Sequence, residues 1–187
     1  MSVYLLKNSD EPIFNFIICT VKIDSPWFYL CWSLGRPFEE KIPEPIQYFA
    51  DKDGELEDYP VTNADQFLVS EKVLNLIETS GSKFDNYKSE IIFPQGKRVK
   101  NYYTINFTES MAALDWKKSI YEKDPDLPPS KVKYVKKLVV KSTSIPKEAY
   151  IFRLKEFEPY ILITEKFKDQ MIDLQLSGFK FINVELS

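Results

Sequence analysis

Gln66-Phe67-Leu68-Val69-Ser70-Glu71-Lys72 and Tyr160-Ile161-Leu162-Ile163-Thr164-Glu165-Lys166 carry the same local instruction twice. Each is a short apolar run, then a hydroxyl residue, then Glu-Lys. A run of β-branched and aromatic side chains favours a strand. A hydroxyl followed by an acid favours a helix start, because the N-cap oxygen can serve unpaired N–H groups and the acid suits the positive end of the helix dipole. After the first copy, Val73, Leu74 and Ile77 recur on one helical face; after the second, Phe167, Met171 and Leu174 do so. Ser80-Gly81 stops the first helix and Ser177-Gly178 the second. The spacing predicts helices over about 70–80 and about 164–177, each leading back into a strand.

Outward from these two units, strand-forming composition marks 13–23, 27–32, 91–93, 101–107, 133–141, 150–154 and 179–184. Gly35-Arg36-Pro37 turns the chain, and Pro43, Pro45 and Pro60 punctuate a stretch that reads as loops. The predicted fold class is α+β, a strand-dominated and mostly antiparallel sheet with the two amphipathic helices packed on it. With 187 residues, one domain over 1–187 is expected. Within it, residues 1–64 form a loop-rich acidic portion and 65–187 the strand and helix core.

Charge is unevenly placed. Residues 1–65 carry 5 basic and 12 acidic side chains, residues 66–157 carry 17 and 11, and residues 158–187 carry 3 and 5. The acidic maximum is Asp51, Asp53, Glu55, Glu57 and Asp58; Gly54 is misplaced for a calcium loop of the EF-hand type. The basic maximum is Lys131, Lys133, Lys136, Lys137 and Lys141, preceded by Lys97, Arg98 and Lys100, with Tyr102, Tyr103 and Tyr134 among them. Such interleaving suits either a single-stranded nucleic acid or the lysine-rich edge of a sheet.

The chain contains no histidine. That removes Ser-His-Asp and Cys-His nucleophile systems, His-ligated zinc and the commonest general base near neutral pH. Cys19 and Cys31 match no zinc or redox spacing and read as buried thiols. Glu39-Glu40 and Asp124/Asp126 are neighbouring carboxylates without the apolar flanks an acid/base pair needs. No glycine-rich phosphate loop and no G-x-S-x-G elbow is present. No cofactor or metal is expected. No apolar run approaches the length of a spanning helix, so no membrane partner is expected and the chain reads as cytoplasmic.

The order of segments resembles an immunity-protein family of bacterial polymorphic toxin systems, immunity-protein family 11. Gly35-Arg36-Pro37-Phe38 is similar to the family's Gly-x-Pro turn after an N-terminal Trp-containing strand, here the stretch with Trp27. Phe67-Leu68-Val69-Ser70-Glu71-Lys72-Val73 is similar to its strand, Val-Ser-Glu, helix element. Tyr102-Tyr103-Thr104-Ile105-Asn106-Phe107, continuing to Ala113-Leu114-Asp115-Trp116-Lys117-Lys118-Ser119, resembles its central block. Ile151-Phe152-Arg153-Leu154, Ile163-Thr164-Glu165 and Ser177-Gly178-Phe179-Lys180-Phe181 resemble its C-terminal block. The motif residues so identified are Trp27, Gly35, Pro37, Ser70, Glu71, Asp115, Trp116, Ser119, Arg153, Glu165 and Gly178. The resemblance implies a protein that is not an enzyme and that binds and blocks one cognate toxin protein.

For the contact with that partner, charge points to Asp51, Asp53, Glu55, Glu57 and Asp58, with Tyr48, Phe49 and Tyr59 as flanking aromatic anchors. The alternative is an RNA- or anion-binding module built on 97–141, with nucleic acid the lesser expectation. Oligomeric state is not legible.

Overall fold

The computed structural model describes residues 2–9, 16–23, 26–38, 41–63 and 66–187, with the side chains of Pro26, Trp27 and Leu30 left aside. Fourteen strands and three α-helices occur among the described residues. In chain order they are β1 (Val3–Asn8), β2 (Ile18–Val21), α1 (Pro26–Leu34), β3 (Ile46–Ala50), β4 (Val61–Thr62), β5 (Phe67–Ser70), α2 (Glu71–Thr79), β6 (Phe84–Ile92) and β7 (Arg98–Phe107). There follow β8 (Ser110–Met111), β9 (Ile120–Glu122), β10 (Tyr134–Lys137), β11 (Val139–Val140), β12 (Ile151–Leu154), β13 (Ile161–Thr164), α3 (Glu165–Asp173) and β14 (Phe179–Leu186).

The strands form two six-stranded sheets and a two-stranded ribbon. The first sheet has the order β4-β2-β3-β6-β7-β5, the second β11-β14-β1-β13-β12-β8, and β9 pairs with β10. The two units that open the sequence reading fall one in each sheet. In the first, β5 and β6 flank β7, and both run antiparallel to it. In the second, β13 and β14 flank β1 in the same way. Each is therefore a split strand–helix–strand unit with a third strand inserted between its two parallel members. Their helices meet in one core: Val73, Leu74 and Ile77 of α2 and Phe167 and Met171 of α3 join Phe107, Ile151 and Ile163.

Three expectations are corrected. The sheets are mixed, since β2–β4, β3–β6, β8–β12 and β11–β14 pair in parallel. These pairings join strands distant in sequence, which local patterning does not report. The aromatic stretch 27–32 is helix α1, not strand. Its buried side chains Phe28, Cys31 and Trp32 follow a helical stripe, and Phe28 and Trp32 join Val21, Tyr48 and Ile91 in one core. Pro26 opens it, where a missing N–H costs nothing. Gly35 closes it at φ +61°, with the Arg36 N–H donating to Cys31 O at 2.9 Å and the Gly35 N–H to Trp32 O at 3.2 Å. That pair of hydrogen bonds is a Schellman stop. Third, the stretch expected as loops contains β3 and β4, while β1 occupies the interior of the second sheet. Of the expected strand 13–23, residues 13–15 lie outside the described residues.

The helices start where the hydroxyls predict, but the hydroxyls do not cap. Ser70 and Thr164 occupy the N-cap positions with extended backbone and no side-chain cap bond. Helix α3 also stops at Asp173, four residues before Ser177, with Gln175 taking the left-handed conformation at φ +52°. Gly178 is thus free of the stop role that Gly81 performs for α2.

Candidate functional site

The acidic loop runs from the end of β3 to β4. Asp51, Asp53 and Glu55 are exposed, while Glu57 and Asp58 are half-buried. Asp51 fixes the loop's start: its N–H donates to Ile18 O at 3.1 Å and its Oδ1 accepts from the Ile18 N–H at 2.9 Å. Tyr102 fixes its middle, its hydroxyl donating to Glu57 O at 2.8 Å. Asp53 and Glu55 make no ion pair among the described residues. Phe49, 39% exposed, stands on the adjoining strand with Lys22 Nζ 5.6 Å from its ring centroid.

The other two expected anchors are core. Tyr48 is fully buried and its hydroxyl hydrogen-bonds Thr104 Oγ1 at 3.0 Å, which in turn meets Ser89 Oγ at 2.6 Å. Tyr59 is buried and stacks on Phe179 with ring centroids 4.9 Å apart. Alternation along β3 sends Ile46, Tyr48 and Ala50 inward and Gln47 and Phe49 outward.

Asp58 joins three elements. Its Oδ1 accepts from the Ser70 hydroxyl at 2.6 Å, and its Oδ2 from the Ser177 N–H at 3.0 Å and the Ser177 hydroxyl at 3.3 Å. Its own N–H donates to Ser177 Oγ at 3.0 Å, and its carbonyl accepts from the Ser70 N–H at 2.9 Å. The carboxylate thereby locks the acidic loop to the start of α2 and the turn before β14, so Asp58 acts as a latch. Asp58→Ala leaves these donors without a charged acceptor and is expected to cost about 3 kcal/mol, against about 1 kcal/mol for Ser177→Ala. Urea unfolding of the two variants checks this; equal, small losses would contradict it.

Gly178, Gly35, Arg153 and Ser119 among the motif residues are joints of the same kind. A Cβ on Gly178 would land on the Tyr59 carbonyl oxygen and 2.9 Å from Glu57 Cβ. A Cβ on Gly35 would meet Phe107 O at 2.5 Å and Arg153 Nε at 2.6 Å. Arg153, 4% exposed, donates from Nε to Phe107 O at 3.1 Å and from Nη1 to Ser33 O at 3.1 Å and Glu158 O at 2.6 Å. Burial pushes its pKa down to about 10, with the Glu158 charge acting the other way. The Ser119 hydroxyl both donates to Val139 O and accepts from the Val139 N–H, each at 3.0 Å. Glu165 accepts from the Ser2 hydroxyl at 3.2 Å, Glu71 sits exposed in the first turn of α2, and Pro37 follows the stop of α1. Trp116 packs edge-on against Tyr121 at 5.3 Å, and the backbone of Trp27 lies in α1.

Asp115 organises the turn before β9. The Ser187 side chain, then the Lys117 and Lys118 N–H groups, hold its carboxyl below the usual carboxylate range. A lowered folded pKa contributes stability above the unfolded value, about 3.9, and loses it as pH falls through the lower folded value. Asp115→Asn is therefore expected to be less stable than the parent at neutral pH, with the gap closing below about pH 4. Urea midpoints at several pH values check it; a gap that widens in acid contradicts it.

The basic segment is divided by the fold. Lys97, Arg98 and Lys100 lie at the β6–β7 hairpin, where Glu90 pairs with Arg98 at 2.7 Å and Lys100 at 3.7 Å. Lys133, Lys136 and Lys137 on the ribbon side pair with Asp124, Glu122 and Glu185, and Lys131 pairs with Glu158. Tyr102 is buried, so the three tyrosines do not form one stacking platform. Cys19 and Cys31 are buried and form no disulfide; burial, then the charge of Asp51, pushes the Cys19 thiol up to about 12. Glu39 and Glu40 lie outside the described residues. Asp124 and Asp126 share a surface turn, the Asp126 N–H donating to Asp124 Oδ1 at 3.0 Å. Among the described residues no group of three or more His, Cys, Asp and Glu is placed to hold a metal, and no helix is long and apolar enough to cross a membrane.

Comparison with known proteins gives one family. The model of the Immunity protein family (Imm11) matches residues 17–185, which span the first sheet whole and most of the second. No curated protein matches the chain.

Proposed function

The chain belongs to the Immunity protein family (Imm11), and on that premise we propose that it neutralises a cognate toxin by stoichiometric protein–protein binding. The observation that carries the reading is the family match over 17–185. The protein acts without catalysis, in the cytosol of the toxin's producer or of a sister cell. The contact surface is the acidic loop, reduced to Asp51, Asp53, Glu55 and Glu57 with Phe49 beside it. Its support is the exposure of Asp51, Asp53 and Glu55, the ion pairs that Asp53 and Glu55 lack among the described residues, and the excess of acids in residues 1–65. A concentrated negative field steers a basic partner into encounter, and a half-exposed aromatic beside it lengthens residence.

The test uses the toxin encoded beside this chain. Asp53→Lys and Glu55→Lys together should slow association about tenfold at low salt while leaving the unfolding midpoint in place. Asp51 is spared because it pins β2. An unchanged on-rate removes the loop from the contact surface; a toxin that the unaltered chain neither binds nor inhibits removes the function.

A further inference from the structure

Strand β1 outruns its neighbour. Its pairing with β13 ends at Leu5↔Leu162, whereas its pairing with β14 continues through Leu6↔Phe181 and Lys7↔Lys180 to Asn8↔Phe179. Where β13 is missing, a cleft of about 430 Å³ opens between β1, the end of α1 and the turn before β13. Leu6, Trp32, Tyr59 and Phe67 wall it, each less than a tenth exposed. Its charged lining is Lys7 and Arg153, and no acidic residue lines it among the described residues.

Arg153 is the buried cation in this lining. Its Nε and Nη1 are satisfied by three carbonyl oxygens, which are dipoles and carry no net charge. Its Nη2 donates to no described residue. The carboxylate whose charge reaches it, Glu158, is already paired with Lys131. A buried guanidinium held by neutral acceptors gains from an added carboxylate, and the free edge of the fork supplies directional donors for one. The apolar walls add area for whatever carries the acid.

We infer that this cleft binds a carboxylate carried on an apolar or aromatic group. The carboxylate meets Arg153 Nη2, Lys7 adds charge at the rim, and the hydrophobic portion lies against Trp32 and Phe67. The acid is either a free small molecule or a group on the bound toxin; both present the same chemistry.

The probe is N-acetylphenylalanine, with N-acetylphenylalanine amide as its uncharged twin and tryptophan emission as the readout. The acid should give a saturable change in the millimolar range, about 1 mM being ordinary for a ligand this small, and the amide should bind at least about tenfold more weakly. Lys7→Glu should weaken the acid about tenfold with the unfolding midpoint unchanged, and Trp32→Phe should abolish the signal. Acid and amide binding alike, no saturable signal from the acid by about 20 mM, or a Lys7→Glu variant that binds as the parent does would each overturn the inference. Adding the acid to the preformed complex separates the sources: release of toxin assigns the carboxylate to the toxin, and retention of both assigns it to a free ligand. A chain that neutralises its toxin without the acid–amide contrast loses the cleft and keeps the function proposed above; the opposite result keeps the cleft alone.

Discussion

Gly178→Ala is expected to lower folding stability by about 3 kcal/mol or more, while Gly81→Ala costs only about 1 kcal/mol. The two glycines follow helices in near-identical Ser-Gly contexts, and both have positive φ, +84° at Gly178 and +71° at Gly81. The conformational penalty is therefore shared. What differs is space. A Cβ at Gly81 meets nothing within 4 Å, whereas one at Gly178 overlaps the Tyr59 carbonyl and crowds Glu57 Cβ. The obstacle is backbone already held by the Asp58 latch and by the Tyr59 N–H bond to Ser177 O at 3.2 Å, so it has little room to retreat. Guanidinium chloride unfolding of the two variants beside the parent measures the difference. Equal losses would mean that the 57–59 segment shifts without cost.

Arg153→Met should cost about 4 kcal/mol, the second large effect. Methionine keeps the stem's volume and removes every donor. Phe107 O at the end of β7, Ser33 O at the end of α1 and Glu158 O in the turn before β13 lose their partner in a buried place. The side chain ties the first sheet to the second, so its loss should also appear as a broadened transition. Arg153→Lys should recover only part, because an ammonium lacks the planar fork that spans three acceptors. A loss under about 1 kcal/mol for the methionine variant would show that water reaches those carbonyls and satisfies them.

What the sequence made legible was local. The apolar run, hydroxyl and Glu-Lys located β5, β13 and the starts of α2 and α3 because strand propensity and helix-start chemistry act over a few residues. Helix α1 was misread for the same reason: a short aromatic run satisfies strand and helix alike, and the decisive signals were Pro26 before it and Gly35-Arg36-Pro37 after it. Tyr48 looked like a surface anchor because it flanks the acidic maximum in a stretch that prolines mark as loop. Its burial follows from β3 pairing in parallel with β6, some 40 residues on, a long-range fact. Asp58 looked like one acid among five, and only the fold brings Ser70 and Ser177 to it. The charge asymmetry was legible and survives as the exposed Asp53 and Glu55.

The most direct test of toxin neutralisation is a titration of purified toxin with this chain, following the toxin's own activity. Stoichiometric binding predicts that activity falls linearly and vanishes at equimolar chain, with the two proteins eluting together. Activity that persists past equimolar chain, or that is abolished by a small fraction of an equivalent, would contradict it: the first denies binding, and the second denotes turnover.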